Sequence, residues 1–180
     1  MSTCTTYASS DPEVAGTWPP VEKAAFRHSM SRLAAAVNII TSVGEDGWCG
    51  FTASAVTSVT DEPPTLLVCI NRTTQAHKSI LSSRVLCVNT VSKPHEELSM
   101  VFAGSGGNKD MVKRFAAANW TTLATGAPVL EDAIVAFDCR VTQLVEVGTH
   151  DVMICEVVAV RDNEHAGGLV YFGRRFHHVV

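Results

Sequence analysis

The side chains best suited to chemistry fall in two short stretches and one turn. Over residues 50–60, Thr52, Ser54, Thr57, Ser58 and Thr60 interleave with apolar Phe51, Ala53, Val56 and Val59. That alternation is too polar for a plain core strand and suits a strand lying against something polar. The second stretch, Asn71, Arg72, Thr73 and Thr74, sets an amide, a guanidinium and two hydroxyls just before a helix expected over 75–82, with Lys78 one turn further on. An anion fits there, because N–H groups at a helix start and a planar guanidinium both favour negative charge. The turn is Gly148-Thr149-His150, which joins two long β-like runs and carries a histidine. No Ser or Cys sits in a recognisable nucleophile elbow. The six cysteines form no CxxC pair and no Cys/His cluster at zinc spacing, so no metal site is expected. The glycine-rich segment 104–108 follows no strand of a βαβ unit and matches neither the dinucleotide fingerprint nor the P-loop.

These residues need a scaffold. Strands are expected over 37–43, 65–70 and 84–91, with turn chemistry at 44–47 and a break at Asp61-Glu62-Pro63-Pro64, where proline fixes φ and removes a donor. Residues 133–147 and 151–161 read as a long hairpin around the His150 turn, and short strands follow over 169–172 and 175–179. Ala25, Phe26, Met30, Leu33, Ala34 and Val37 recur at helical spacing, which predicts an amphipathic helix packed on something larger. Short helices are expected over 96–103 and 110–118. Strands joined mainly by hairpins argue for an antiparallel β-barrel with helices as additions.

Composition narrows the partners. A chain of 180 residues, 46% hydrophobic, can build one domain with a real core. The formal net charge of -4 gives no basic field, so nucleic acid is not an expected partner. No apolar run reaches the roughly 18 residues that span a bilayer. Residues 1–20 show neither period nor a basic and apolar leader pattern, and are expected to be a mobile arm before a domain over 21–180. Cysteines inside apolar runs suit reduced thiols in a cytoplasmic protein.

From Val21 onward, the succession GFTASAVTSV, Pro63-Pro64, CINRTT, VLCVNT, FAG, TGAPVL, DCRV, GTH and YFGRRFHHV resembles the short flavin reductases. Members of that family supply two-component aromatic monooxygenases acting on hydroxyphenylacetate, phenols or chlorophenols. The resemblance implies a mainly β fold, a six-stranded antiparallel split β-barrel of Greek-key, FMN-binding type with short flanking helices. It also implies a homodimer, with FAD or FMN in a groove near the subunit interface. The activity implied is hydride transfer from C4 of NADH to flavin N5, with release of reduced flavin, FADH2 by the nearest members, to a separate monooxygenase. Such transfer asks for placement of two rings about 3–3.5 Å apart more than for acid–base chemistry.

By the same resemblance, Thr52, Ala53, Ser54, Asn71 and Arg72 hold the flavin, while Thr73, Thr74 and Lys78 suit its ribityl and phosphate end. Phe102 and Ala103 are candidates for its wall, and Asn89 either touches ligand or bonds backbone. His150 stands in a turn where the family has Gly-Asp-His, associated with the nicotinamide nucleotide; here Thr149 replaces the acid. Tyr171 and Arg174 lie where family members place side chains near the flavin face and the nicotinamide. Two other readings keep the fold: a flavoprotein with tightly bound flavin reducing another acceptor, and a non-catalytic flavin- or haem-binding module.

Overall fold

The computed structural model describes residues 18–107, 109–164 and 167–180. The expected arm, 1–20, lies outside them except for its last three residues. In chain order the elements are α1 (Lys23–Met30), β1 (Ala35–Ala36), β2 (Asn38–Gly44), β3 (Gly47–Ala53), β4 (Val56–Asp61), β5 (Pro64–Asn71), α2 (His77–Ser83), β6 (Val85–Thr90), α3 (Glu96–Phe102), α4 (Met111–Phe115), β7 (Trp120–Thr122), β8 (Pro128–Leu130), β9 (Val135–Val147), β10 (His150–Asp162), β11 (Gly168–Phe172) and β12 (Arg175–Val179). The fold is mainly β with a few helices, as expected.

The strand count differs from the expectation. The main sheet has seven strands rather than six, in the order β3-β2-β6-β9-β10-β5-β4, every neighbouring pair antiparallel. Its two edge strands, β3 and β4, are consecutive in sequence and are joined only through Ser54 and Ala55. A trans chain reaches at most about 3.3–3.6 Å per residue, so the edges must approach each other and the sheet rolls up. Among the described residues no ladder joins β3 to β4, so the roll is not closed. The extra strand arises because the polar run 50–60 turns a corner at Ser54-Ala55 and serves both edges.

Alternation along the strands feeds two cores. Ile40, Val68, Ile70, Leu86 and Met153 point into the roll and meet Ile80 of α2, which packs so closely on β2 that a Cβ on Gly44 would lie 2.7 Å from Ser79 Cβ. The opposite face of β2 sends Ile39 into a second core with Val37, Leu98, Phe102, Phe115, Leu130 and Leu169. Burying each such side chain contributes roughly 1.5–3 kcal/mol. Phe102, Phe115 and Trp120 stack edge-on or tilted, with centroids 4.9–5.8 Å apart. Gly50 permits this, since a Cβ there would meet the Phe102 ring at 2.9 Å and Ile40 O at 2.8 Å.

A further expectation changes. The amphipathic helix is short and buries none of its residues: Phe26 and Met30 are exposed, as is Leu33 just beyond it. Only Val37 of that periodic set reaches the core, and it does so between two strands. Asp138 faces away from Cys139 as alternation requires, yet it is fully buried, because its carboxylate accepts hydrogen bonds from Thr125 N (2.8 Å) and Thr125 Oγ1 in the arm carrying β7 and β8.

Candidate functional site

A groove runs along the outside of β3. One cavity, of about 420 Å³, lies between Thr52, the β5–α2 loop residues Thr73 and Thr74, Phe102 and Ala103 after α3, and Arg114 of α4. Thr52 and Ala103 also line the adjoining cavity of about 390 Å³, which continues past Ala53 and Ser54 to Tyr171. From Ser54 and Tyr171 the space opens into a third, about 900 Å³, beside α1, where Arg27, Leu33, Thr57 and Arg174 stand. These volumes fall in the range of small-molecule sites. Thr52 Oγ1 donates to Ser99 O (2.6 Å) and so ties β3 to α3, keeping acceptor capacity on the groove side.

The expected site residues therefore divide. Thr52, Ala53, Ser54, Thr73, Thr74, Phe102, Ala103, Tyr171 and Arg174 line this groove. Lys78 is exposed on α2, outside the lining. Asn89 takes its backbone-bonding alternative: it is fully buried, its Nδ2 donates to Ile39 O (3.0 Å) and Thr41 Oγ1 (3.1 Å), and its Oδ1 accepts from Leu130 N (2.8 Å). A buried amide with these partners is satisfied and has no surface to offer a ligand. Asn71 shapes its own loop, its Oδ1 accepting from Thr73 N and Thr73 Oγ1, both at 2.9 Å.

Arg72 turns away from the groove. Its Nε donates to Asp151 Oδ1 (2.7 Å) and a terminal nitrogen pairs with Glu146 (3.1 Å), while Asp151 Oδ2 meets His77 Nε2 at 2.7 Å. The hydrogen bond from His77, then that from Arg72, hold the Asp151 carboxyl below the ordinary carboxylate range. This cluster fastens the loop and the start of α2 to the β9–β10 hairpin, helped by Arg72 N donating to Thr149 O (3.1 Å). His150 opens β10 opposite Asn71, exposed, with its Nδ1 2.9 Å from Thr149 Oγ1. It stands beside the loop but does not line the groove cavities.

Sequence reasoning missed Lys109 and Arg114. Both line the 420 Å³ cavity, and Arg114 is only 6% exposed. The available signal was spacing: Met111 and Arg114, three apart on a helix, share a face, and both line that cavity. Among the described residues, burial leaves the core thiols poor nucleophiles. Cys155 is pushed up to about 12 by burial, and burial raises Cys87 and Cys139 as well. Among the described residues no His/Cys/Asp/Glu group could hold a metal ion, and no helix is long and apolar enough to cross a membrane. A separate cavity of about 530 Å³ on the other face of α3 is ringed by Glu97, Glu131 and Asp132 with no Lys or Arg, a poor setting for a phosphate.

Residues 30–179 match the family model of the flavin reductase like domain. The chain belongs to this family. It is 54% identical over 172 residues to the FMN reductase (NADH) RutF of Pantoea ananatis, an alignment covering 96% of this chain and 89% of that protein. Among solved structures it is similar to a candidate flavin reductase from Haemophilus somnus 129PT, at 47% identity and a TM-score of 0.85, covering 88% of this chain and 100% of that one. It is also similar to BorF, the flavin reductase component of a bacterial two-component tryptophan halogenase, at 25% identity and a TM-score of 0.80, covering 88% of this chain and 98% of the other. For this flavin reductase relative, the groove along β3 is the stretch of surface where the resembling TAS segment, the NRTT loop, the FAG segment and the YFGRR turn converge.

Proposed function

We propose that the protein is an NADH:flavin oxidoreductase that takes FMN as its flavin and releases reduced flavin to a separate flavin-dependent monooxygenase. The observation that carries this is the coincidence of family and geometry: one continuous groove of ligand size is lined by the segments that resemble flavin reductases. The residues present fit a flavin. Phe102 and Ala103 give an apolar wall, Thr52 to Ser54 give backbone and hydroxyl partners for a ring edge, and Thr73 and Thr74 lie toward the cationic end. Bound flavin supplies the hydride-accepting ring; the protein's part is to orient it and to place the nicotinamide, which we assign to His150, Tyr171 and Arg174. FMN is favoured over FAD by relatives such as the Pantoea protein, named as an FMN reductase. A groove open along the surface suits exchange of flavin with a second enzyme.

The same reading includes a split β-barrel of Greek-key type over 21–180 and a homodimer. Ser54-Ala55 joining the two sheet edges supports the first. The second is supported by the uncovered apolar side chains Phe26, Leu33 and Val59, 52–62% exposed, on α1, just after it and on the free edge strand β4. The test is direct. NADH consumption by the purified protein is followed while free FMN or FAD is added, and the rate is expected to rise with added FMN. A protein that holds flavin tightly and needs another acceptor, or one that consumes no NADH with either flavin, overturns the proposal.

A further inference from the structure

We propose that Asp151 is a positioning residue: through Arg72 and His77 it holds the loop that lines the groove against the His150 turn, and so sets the spacing at which flavin and nicotinamide meet. This rests on the flavin-reductase reading of the groove and on the placing of the nicotinamide by His150. It adds the group that joins the two halves of the site.

The observations that carry it begin with the strand. Asp151 follows His150 on β10, so the two side chains leave opposite faces; His150 is exposed, whereas Asp151 is buried. The Asp151 carboxylate is shared between the two ends of one segment, Oδ1 accepting from Arg72 Nε and Oδ2 meeting His77 Nε2, both at 2.7 Å. Charge-assisted contacts of that length are the strong ones. The residues between those ends include Thr73, Thr74 and Gln75, all in the lining of the 420 Å³ cavity. The backbone repeats the tie, because Arg72 N donates to Thr149 O at 3.1 Å and Asn71 stands opposite His150 in the β5–β10 register. A second ion pair on the same hairpin shows what is particular to the first. Arg140 and Glu156, 2.9 Å apart, are direct partners on β9 and β10 and fix the hairpin to itself. Two members of the Asp151 set, Arg72 and His77, come from outside the hairpin. Hydride transfer needs its reacting atoms about 3–3.5 Å apart, and a misplacement of about 1 Å costs about 100-fold. A loop released from the turn therefore costs rate even where both substrates still bind.

The experiment measures kcat and KM for FMN and NADH in the wild type, Asp151→Asn, Arg72→Gln, the double variant and Arg140→Gln. Each is assayed at a temperature where its circular dichroism is that of the folded wild type. In Asp151→Asn, kcat is expected to fall about 10- to 100-fold, and in Arg140→Gln by less than about twofold. The double variant should lose no more than Asp151→Asn alone, because the two residues act through one contact. Arg72 is half-buried, so Arg72→Gln reads the same tie if Asp151→Asn does not fold, with a loss of about 3- to 30-fold expected. Losses that multiply in the double variant, an unchanged kcat in the folded single variants, or an equal loss in Arg140→Gln overturn the proposal. Hydrogen exchange without substrates separates this outcome from that of the functional reading. The amides of Arg72 and Thr73, bonded to Thr149 O and Asn71 Oδ1, are expected to exchange at least about 10-fold faster in Arg72→Gln and Asp151→Asn, with those of β2 unmoved. That result, with weaker FMN binding by fluorescence, upholds the clamp even in a protein that never consumes NADH; unchanged exchange overturns it even in one that does.

Discussion

Two arginines stand on either side of the loop between β5 and α2, and the fold uses them in opposite ways. Arg72, in the loop itself, is claimed by two carboxylates from the β9–β10 hairpin. Arg114, from a helix forty-odd residues later in the chain, is buried and faces the cavity that the loop lines. A guanidinium beside hydroxyls looks like an anion site in either case. What separates them is where each guanidinium is placed: Arg72 on the carboxylates of the hairpin, Arg114 in the lining of the cavity. Asp151 and Glu146 sit opposite Ile70 and beside the turn in the antiparallel register, so pairing of β5 with β10 delivers them to Arg72 automatically. The Arg72 side is thus a fastening, and the Arg114 side is part of the cavity wall.

The largest test of this contrast removes the wall behind Arg114. Phe102 is 2% exposed and packs against Phe115, the residue that follows Arg114. Phe102→Ala is expected to cost about 3–5 kcal/mol in denaturant unfolding and to weaken FMN binding by loosening α4. Intact FMN affinity at that loss of stability would show that the α3–α4 side does not build the site.

A smaller effect is expected on the hairpin side. His150 is exposed and lines neither groove cavity beside the loop, so His150→Ala should leave flavin affinity within about twofold while kcat/KM for NADH falls by up to about 100-fold, the scale of a misplaced reactant. Flavin binding and NADH turnover falling together would join the two sides into one site.

Much of this arrangement was legible beforehand, and the reasons for the rest are physical. Period-two alternation and turn residues marked the β2–β3 and β9–β10 hairpins, because burial of one face and the demands of a turn are local. The TAS segment was legible as too polar for its strand, and it lines the groove. The destination of Arg72 was not legible, since it depends on which strand pairs with β5. Asn89 stayed open between two roles for the same reason: an amide in an apolar run signals an unusual demand, but only the fold shows that the demand comes from Leu130 N and Ile39 O. Arg114 was hidden in a short amphipathic run whose cavity is formed by elements far away in sequence. The α1 stripe was correctly periodic, yet periodicity cannot say what covers it.

Acid should expose the fastening. The Asp151 carboxyl titrates below its ordinary 3.8 because His77, and next Arg72, favour its charged form. Its contribution to stability is therefore fully present above 3.8 and is lost as pH falls through the lower folded value. The melting temperature of the wild type is expected to drop more steeply as pH falls below about 4 than that of Asp151→Asn, which has no such group to protonate. Parallel curves would mean that the Arg72–Asp151–His77 cluster does not fasten the loop.

The smallest expected effect concerns the residue that replaces the family's acid in the His150 turn. A hydroxyl is both donor and acceptor, so Thr149 Oγ1, 2.9 Å from His150 Nδ1, can meet either neutral tautomer of the ring but adds no charge beside it. Thr149→Ala removes one neutral hydrogen bond at an exposed position, about 0.5–1.5 kcal/mol, so kcat/KM for NADH should fall about 2- to 10-fold with the melting temperature unmoved. Thr149→Asp should act differently, since a carboxylate favours the imidazolium. With a charge beside the ring, kcat/KM for NADH is expected to change by more in Thr149→Asp than in Thr149→Ala. NADH turnover indifferent to both substitutions would remove His150 from the hairpin side's share of the chemistry, and with it the division of labour between the two faces of the loop.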